Sequence, residues 1–328
     1  MITLQNEDVV LAPKDEKQLV MINASALSKS SCRLRLFNIV VEGLTTKLNG
    51  NDIEWGTAFH IFRQVFREQG YDNAYKHGLK LAQAYYTNTP MRVKSKKEYL
   101  TEQYLLSACI SYAEQYKKDS FETINIGDTV GLIEQKFAIP YYVDDTMEVV
   151  LCGTVDEIGK FRNGIYSICD LKTSAAWNHT EYFESYWLSP QMMFYRWQLG
   201  LYAAAYPDSI YAKIHAEDCG VFIDGVFHNG RSAIEFKRSS VMLFKEAQLE
   251  KFGRLVDIKV KQLIEDIKHW RYTGQLPLEE GILNGACQEK FGLCAFANIC
   301  KAPDDEVKQH IKDHNFIKQP YNPLTIHD

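Results

Sequence analysis

The sequence predicts an α/β fold, a mixed central β-sheet flanked by helices. Short β-branched runs gather between residues 130 and 172, helical runs lie on both sides of them, and no internal repeat or low-complexity segment breaks the pattern. At 328 residues the chain can bury a substantial core, as one large domain with insertions or as two small ones.

Five segments are expected: residues 1–54, an N-terminal segment; 55–128, a helical region; 129–242, the core sheet; 243–303, a long helix and a cysteine-bearing segment; and 304–328, a tail. In the first, several cap-competent residues between Ile22 and Cys32 precede a helical pattern through Leu34, Leu36, Phe37 and Val40. Trp55 to Glu68 reads as a second helix, with His60, Arg63 and Gln64 polar among apolar neighbours. Residues 73 to 120 read as further helices, with a basic turn that carries Arg92, Lys94, Lys96 and Lys97 and a basic pair at Lys117 and Lys118. Such runs are commonly solvated, but they could also contact the phosphates of a single strand. Val130 to Ile139 reads as a strand in which Glu134 is either an exposed residue or an accessory carboxylate. Ile210 to Ile214, Gly220 to Val226 and Ala233 to Phe236 read as strands, Leu243 to Tyr272 as a long amphipathic helix ending before Gly274, and the charged tail from Asp304 as loosely packed.

The net charge of -5 excludes a globally basic nucleic-acid protein, so any attraction for phosphate must come from a local patch or a bound metal. The charged first twenty residues and the absence of an apolar run of about 18 residues lead us to expect a cytoplasmic protein without membrane contact.

Chemistry concentrates in two strands, Met147 to Ile158 and Ile165 to Lys172, joined by Gly159 to Gly164. A two-residue Asn163-Gly164 turn would put Asp156 and Asp170 on opposite faces. A three-residue loop, Arg162-Asn163-Gly164, pairs Phe161 with Ile165 and sets Asp156 opposite Asp170, with Lys172 on the same face. Neighbouring carboxylates repel unless a cation lies between them, and a hard divalent ion accepts carboxylate oxygens while leaving positions open for phosphate. An exposed cross-strand charge pair is the alternative. A helix from Ser189 to Tyr206 is apolar almost all round, yet Gln191, Tyr195, Gln198 and Tyr202 form one narrow stripe along it. A buried polar stripe needs partners, either internal or at a site beside the carboxylates.

In sequence, Gly56-Thr-Ala-Phe-His60, Gly153-Thr-Val-Asp156, Asp170-Leu-Lys172 and Gln191-Met-Met-Phe-Tyr195 stand in the order of the helical histidine, GxxD, DxK and QxxxY motifs. In this the chain resembles the PD-(D/E)XK nucleases of the RecB type over residues 25 to 303. The resemblance implies a restriction-endonuclease-like core and a DNA exonuclease of recombination, repair, CRISPR adaptation or phage DNA processing, with protein partners of such a complex. It implies manganese or magnesium held by His60, Asp156, Asp170 and the Leu171 carbonyl, with Lys172, Gln191 and Tyr195 completing the catalytic set. A non-catalytic DNA-binding module is the rival, against which the intact Asp156, Asp170 and Lys172 count.

Eight cysteines without a secretory signal do not suggest a disulfide framework. Cys109, Cys152, Cys169 and Cys219 stand singly in apolar surroundings, as small core residues do. Cys287, Cys294 and Cys300 crowd one loop-like segment, which suggests a metal lacking a fourth ligand. The same resemblance implies a 4Fe-4S cluster in which Cys32 supplies that ligand and staples the chain ends. The spacing departs from the familiar CxxC form and leaves tetrahedral zinc open.

Overall fold

The computed structural model describes residues 17–46, 51–89, 98–127, 130–230, 233–289 and 292–324. Its centre is a seven-stranded mixed sheet. The strands are β1 (Gln18–Ile22), β2 (Phe121–Thr123), β3 (Ile133–Val143), β4 (Met147–Phe161), β5 (Tyr166–Ser174), β6 (Gly220–Phe227) and β7 (Glu235–Arg238). The order runs β1-β4-β5-β6-β7, with β2 and β3 also pairing with β4. The β1-β4 and β5-β6 pairs are parallel; the others are antiparallel. The long strand β4 reaches four partners because its first half lies between β1 and β3 and its last turns between β5 and β2.

The β4-β5 hairpin takes the three-residue loop. Phe161 N donates to Ile165 O at 2.9 Å, Gly164 N donates to Phe161 O at 2.8 Å, and Gly164 sits at φ 94° in the region glycine enters without steric cost. Lys160 faces Tyr166, Ile158 faces Ile168 and Glu157 faces Cys169, so the register brings Asp156 opposite Asp170.

Helices cover both faces. The main ones are α1 (Arg33–Val40), α2 (Asn51–Gln69), α3 (Glu102–Tyr116), α4 (Pro190–Ala205), α5 (Glu246–Thr273) and α6 (Asp305–Asn315). On one face Phe59 and Phe62 of α2 and Tyr112 of α3 pack with Leu171 and Val226 of the sheet. On the other, Met192, Tyr195 and Leu199 of α4 pack with Ile168, Val221 and Ile223. Fully burying one such side chain stabilises the fold by roughly 1.5–3 kcal/mol, so both layers are firmly seated. Ser189 caps α4 by accepting from Gln191 N, and Pro190 occupies its first turn, where a missing N–H costs nothing.

Four expectations require correction. Residues 210 to 214 are not a strand but open a helix, Ile210–Ala216: Ser209 caps it through Ala212 N, and Ile214, one turn on from Ile210, is fully buried. The long helix begins at Glu246 because Met242 bridges Val221 in extended conformation. The strand expected from Val130 is interrupted: Val130–Gly131 pairs with Asn125–Ile126, and β3 starts at Ile133. The tail packs rather than hanging loose. Asp304 caps α6, Phe316–Lys318 pairs antiparallel with Leu44–Thr46, Lys312 Nζ lies 2.5 Å from Glu42 Oε2, and the Tyr321 hydroxyl donates to Asn23 Oδ1 at 2.7 Å. Among the described residues no helix is long and apolar enough to cross a membrane.

Candidate active site

The hairpin delivers the first part of the site. Asp170 is fully buried, and Lys172 Nζ lies 2.6 Å from its Oδ2. Asp156 Oδ2 accepts from Leu171 N at 2.7 Å, which ties the two strands together at the level of the carboxylates. Burial pushes the Asp170 carboxyl above the ordinary carboxylate range against the pull of Lys172, and the charge of Asp156 adds to the rise. Burial acts in the opposite sense on Lys172, but Asp170 and Asp156 outweigh it and keep the ammonium charged.

The helix α2 delivers the second part. A Cβ on Gly56 would stand 2.9 Å from Thr173 Oγ1, so glycine at that position lets α2 come down close onto the end of β5. One turn further on, His60 Nδ1 reaches to 3.7 Å from Asp156 Oδ2. The third partner is Glu134, which sequence reading left as more readily an exposed strand residue. It is partly buried, takes a left-handed φ of 48°, and offers an oxygen that, with donor atoms of His60 and Asp156, forms a group of three all within 4.8 Å of one another. Burial, together with the charge of Asp156, pushes the Glu134 carboxyl up to about 8. Two carboxylates and an imidazole in so small a space suit a divalent cation, which would supply the positive charge that Glu134 lacks. Asp170 is outside this group of three: its carboxyl is committed to Lys172 and to a glutamine.

That glutamine comes from α4. Gln191 Nε2 donates to Asp170 Oδ1 at 3.2 Å and to the Tyr195 hydroxyl at 2.6 Å, so the upper part of the polar stripe lies beside the strand carboxylates. Further along, Gln198 Nε2 donates to Leu151 O at 3.4 Å and Tyr202 packs edge-on to Phe137, so the lower part is internal. Sequence reading missed Tyr182 and Tyr186, whose hydroxyls lie 3.0 Å apart in the connection between β5 and α4. The charge of Lys172 acts on the Tyr182 hydroxyl and that of Asp170 on the Tyr186 hydroxyl. Their i, i+4 spacing directly after the DxK strand is the signal that could have found them.

Behind the site, on the α2 side of the sheet, Arg63 and Arg67 grip the fully buried Glu157. Arg63 Nη2 donates to Glu157 Oε2 at 2.7 Å and Arg67 Nη2 to Oε1 at 2.6 Å. Arg67 Nη1 continues to Asp119, which also takes two bonds of 2.6 Å from Arg238. The network holds the helix that carries His60 against the strand that carries Asp156.

At the far end of α1, Cys32 is the residue that precedes the first helical turn. The position of a Cβ on Gly281 lies 3.3 Å from Cys32 Cβ and 3.1 Å from Cys287 Sγ, and Cys294 N donates to Cys287 O at 2.9 Å. Burial pushes the Cys300 thiol up to about 11, with Glu279, Cys32, Cys287 and Cys294 adding to the rise. Cys32 and the three late cysteines are therefore neighbours. Among the described residues no three of these sulfurs lie within 4.8 Å of one another, a wider spread than the edge of roughly 3.8 Å that Zn–S bonds of about 2.3 Å give a tetrahedral site. Cys109, Cys152, Cys169 and Cys219 are buried singly. Arg92, Lys94, Lys96 and Lys97 lie outside the described residues, and Lys117 rests over the ring of Tyr71 at 3.8 Å.

No curated protein matches the chain. Among solved structures, the crystal structure of SSO0001 is similar at 14% identity over 73% of this chain and 84% of that one, with a TM-score of 0.24. The family model of the PD-(D/E)XK nuclease superfamily matches residues 23–301. Most of the chain falls within that match, and the chain therefore belongs to the PD-(D/E)XK superfamily of metal-dependent nucleases.

Proposed function

We propose that the protein is a deoxyribonuclease that removes nucleotides from DNA ends or single strands, an exonuclease of the RecB type. The observation that carries this reading is the convergence of His60, Glu134 and Asp156 on one small volume beside the Asp170, Lys172 and Gln191 cluster. His60, Asp156 and Glu134 are the residues to hold a manganese or magnesium ion, with the Leu171 carbonyl, while Asp170 stays with Lys172 and Gln191 beside it. Imidazole among the donors favours manganese. Such an ion polarises a phosphate and makes hydroxide available near neutral pH. Lys172 orients the attacking water and offsets the charge that grows on the phosphate. Gln191 holds the Asp170 carboxylate with one amide hydrogen and the Tyr195 hydroxyl with the other, which limits the positions that a substrate phosphate can take.

The four clustered cysteines are the donors for a 4Fe-4S cluster. Four cysteines brought together from distant parts of the chain support that reading. The pathways that fit are recombination, repair, CRISPR adaptation and phage DNA processing. End-labelled single-stranded and duplex DNA incubated with purified protein and Mn2+ tests the proposal: stepwise shortening from an end supports it, and cleavage absent with both Mn2+ and Mg2+ overturns it.

A further inference from the structure

We infer that the connection between β5 and α4, residues 175–189, is a stacking wall for unpaired bases, so that the site takes single-stranded DNA. The inference rests on the nuclease reading above. Five aromatic side chains fall in these fifteen residues. Tyr182 and Tyr186 are partly buried and bonded to each other through their hydroxyls. Trp177 and Trp187 flank them at 63% and 41% exposure. Trp177 follows the strand that carries Lys172, and Trp187, whose ring meets Phe244 edge-on, precedes the helix that carries Gln191, so the connection that bears both rings is bounded at each end by an element of the catalytic cluster.

The charge of this segment selects the occupant. From Thr173 to Tyr195 there is no lysine or arginine, while Glu181 and Glu184 are exposed. Lys237, which reaches His179 at 2.8 Å from the neighbouring strand, is held by Glu235 at 2.7 Å. The segment carries no cation of its own to grip the phosphates of a duplex, and the lysine beside it is already paired. What it presents is ring surface. Every base has a π-face once it is unpaired, stacking on an aromatic side chain is indifferent to sequence, and in a duplex those faces are already occupied. The metal-binding cluster would hold the scissile phosphate while the rings hold the bases beside it.

Intrinsic fluorescence of the full chain, titrated in EDTA with a thymidine oligonucleotide and with a blunt hairpin of equal nucleotide count, tests this. The single strand should quench the signal and bind about ten-fold tighter than the hairpin. Trp177→Ala and Trp187→Ala should each weaken its binding about five-fold or more, whereas Trp187→Phe retains most of it. With Mn2+, both alanine variants should raise KM for the single strand by a larger factor than they lower kcat. Oligonucleotide binding unchanged in both alanine variants overturns the wall, as it would if a protein partner docked there, and so does a preference for the hairpin. A preference for the single strand that the alanine variants lose, in a protein that cleaves nothing with any divalent metal, upholds the wall and overturns the nuclease reading instead.

Discussion

A carboxylate pushed toward protonation by burial and by a neighbour of its own sign is poised for a cation, and Glu134 is in that position. Glu134→Gln should lower the affinity for Mn2+ about 10–100-fold, read from the Mn2+ dependence of cleavage and from calorimetric titration of the protein without DNA. Equal affinity in the variant would remove Glu134 from the site. Asp170 and Lys172 act on the reaction instead. Lys172→Ala leaves the Asp170 carboxyl able to take up a proton, because burial already drives it that way, so the fold tolerates the loss. Asp170→Ala and Lys172→Ala should each slow cleavage by about a hundredfold or more while melting temperature and DNA binding stay close to wild type. Wild-type turnover by either variant would sink the assigned roles.

At the scale of elements, the site depends on one joint, α2 against the β4-β5 hairpin. Gly56 allows the close approach, and Arg63 and Arg67 on Glu157 lock it. Glu157→Gln takes the charge from between two buried arginines, and breaking a buried pair in this way costs about 3–5 kcal/mol. Chemical denaturation at pH 7 measures it; a change below about 1 kcal/mol would refute the lock. The pH dependence has a definite sign. Burial alone would raise the Glu157 carboxyl, but Arg67 and Arg63 outweigh it and hold it below the ordinary carboxylate range. Its contribution is therefore complete above the unfolded-state value of about 4.3 and is lost as pH falls through the lower folded-state value. The stability gap between wild type and Glu157→Gln should close on acidification below pH 4 and stay constant between pH 6 and 8.

Across the whole molecule, both ends of the chain are brought together. Cys32 meets the segment 287 to 300, and the tail strand Phe316–Lys318 pairs with Leu44–Thr46. A cluster bound there would join residues more than two hundred positions apart, which restricts the unfolded chain strongly and makes folding of the ends conditional on the thiolates. The purified protein should be brown. Replacing Cys32, Cys287, Cys294 or Cys300 by serine should bleach it and lower the melting temperature by several degrees, whereas the same change at Cys109 or Cys219 should leave the visible absorption intact. A colourless protein with one zinc per chain would overturn the cluster and spare the nuclease site.

The sequence by itself determined what short-range chemistry decides. Asn163 and Gly164 marked the hairpin and narrowed it to two registers, and because side chains alternate with a period of two only one of them placed Asp156 opposite Asp170; the fold takes that one. The same locality made α4 and its Ser189-Pro190 start legible. Only the tertiary structure decided what meets from afar. Glu134 is ambiguous in sequence because its role depends on an irregular, left-handed backbone position that brings it to Asp156 and His60. Residues 210 to 214 looked like a strand because so short a segment, with Ile210 and Ile214 as its apolar ends, fits either period, and the burial of Ile214 in the helix Ile210–Ala216 settled which one. Strand β1 and the packed tail went unread because a short segment acquires its structure from the neighbour it pairs with, and neither Met147–Leu151 nor Leu44–Thr46 is near its partner in sequence. Local propensity is written residue by residue, whereas pairing across a hundred or more residues is decided by the surface that the rest of the fold leaves open.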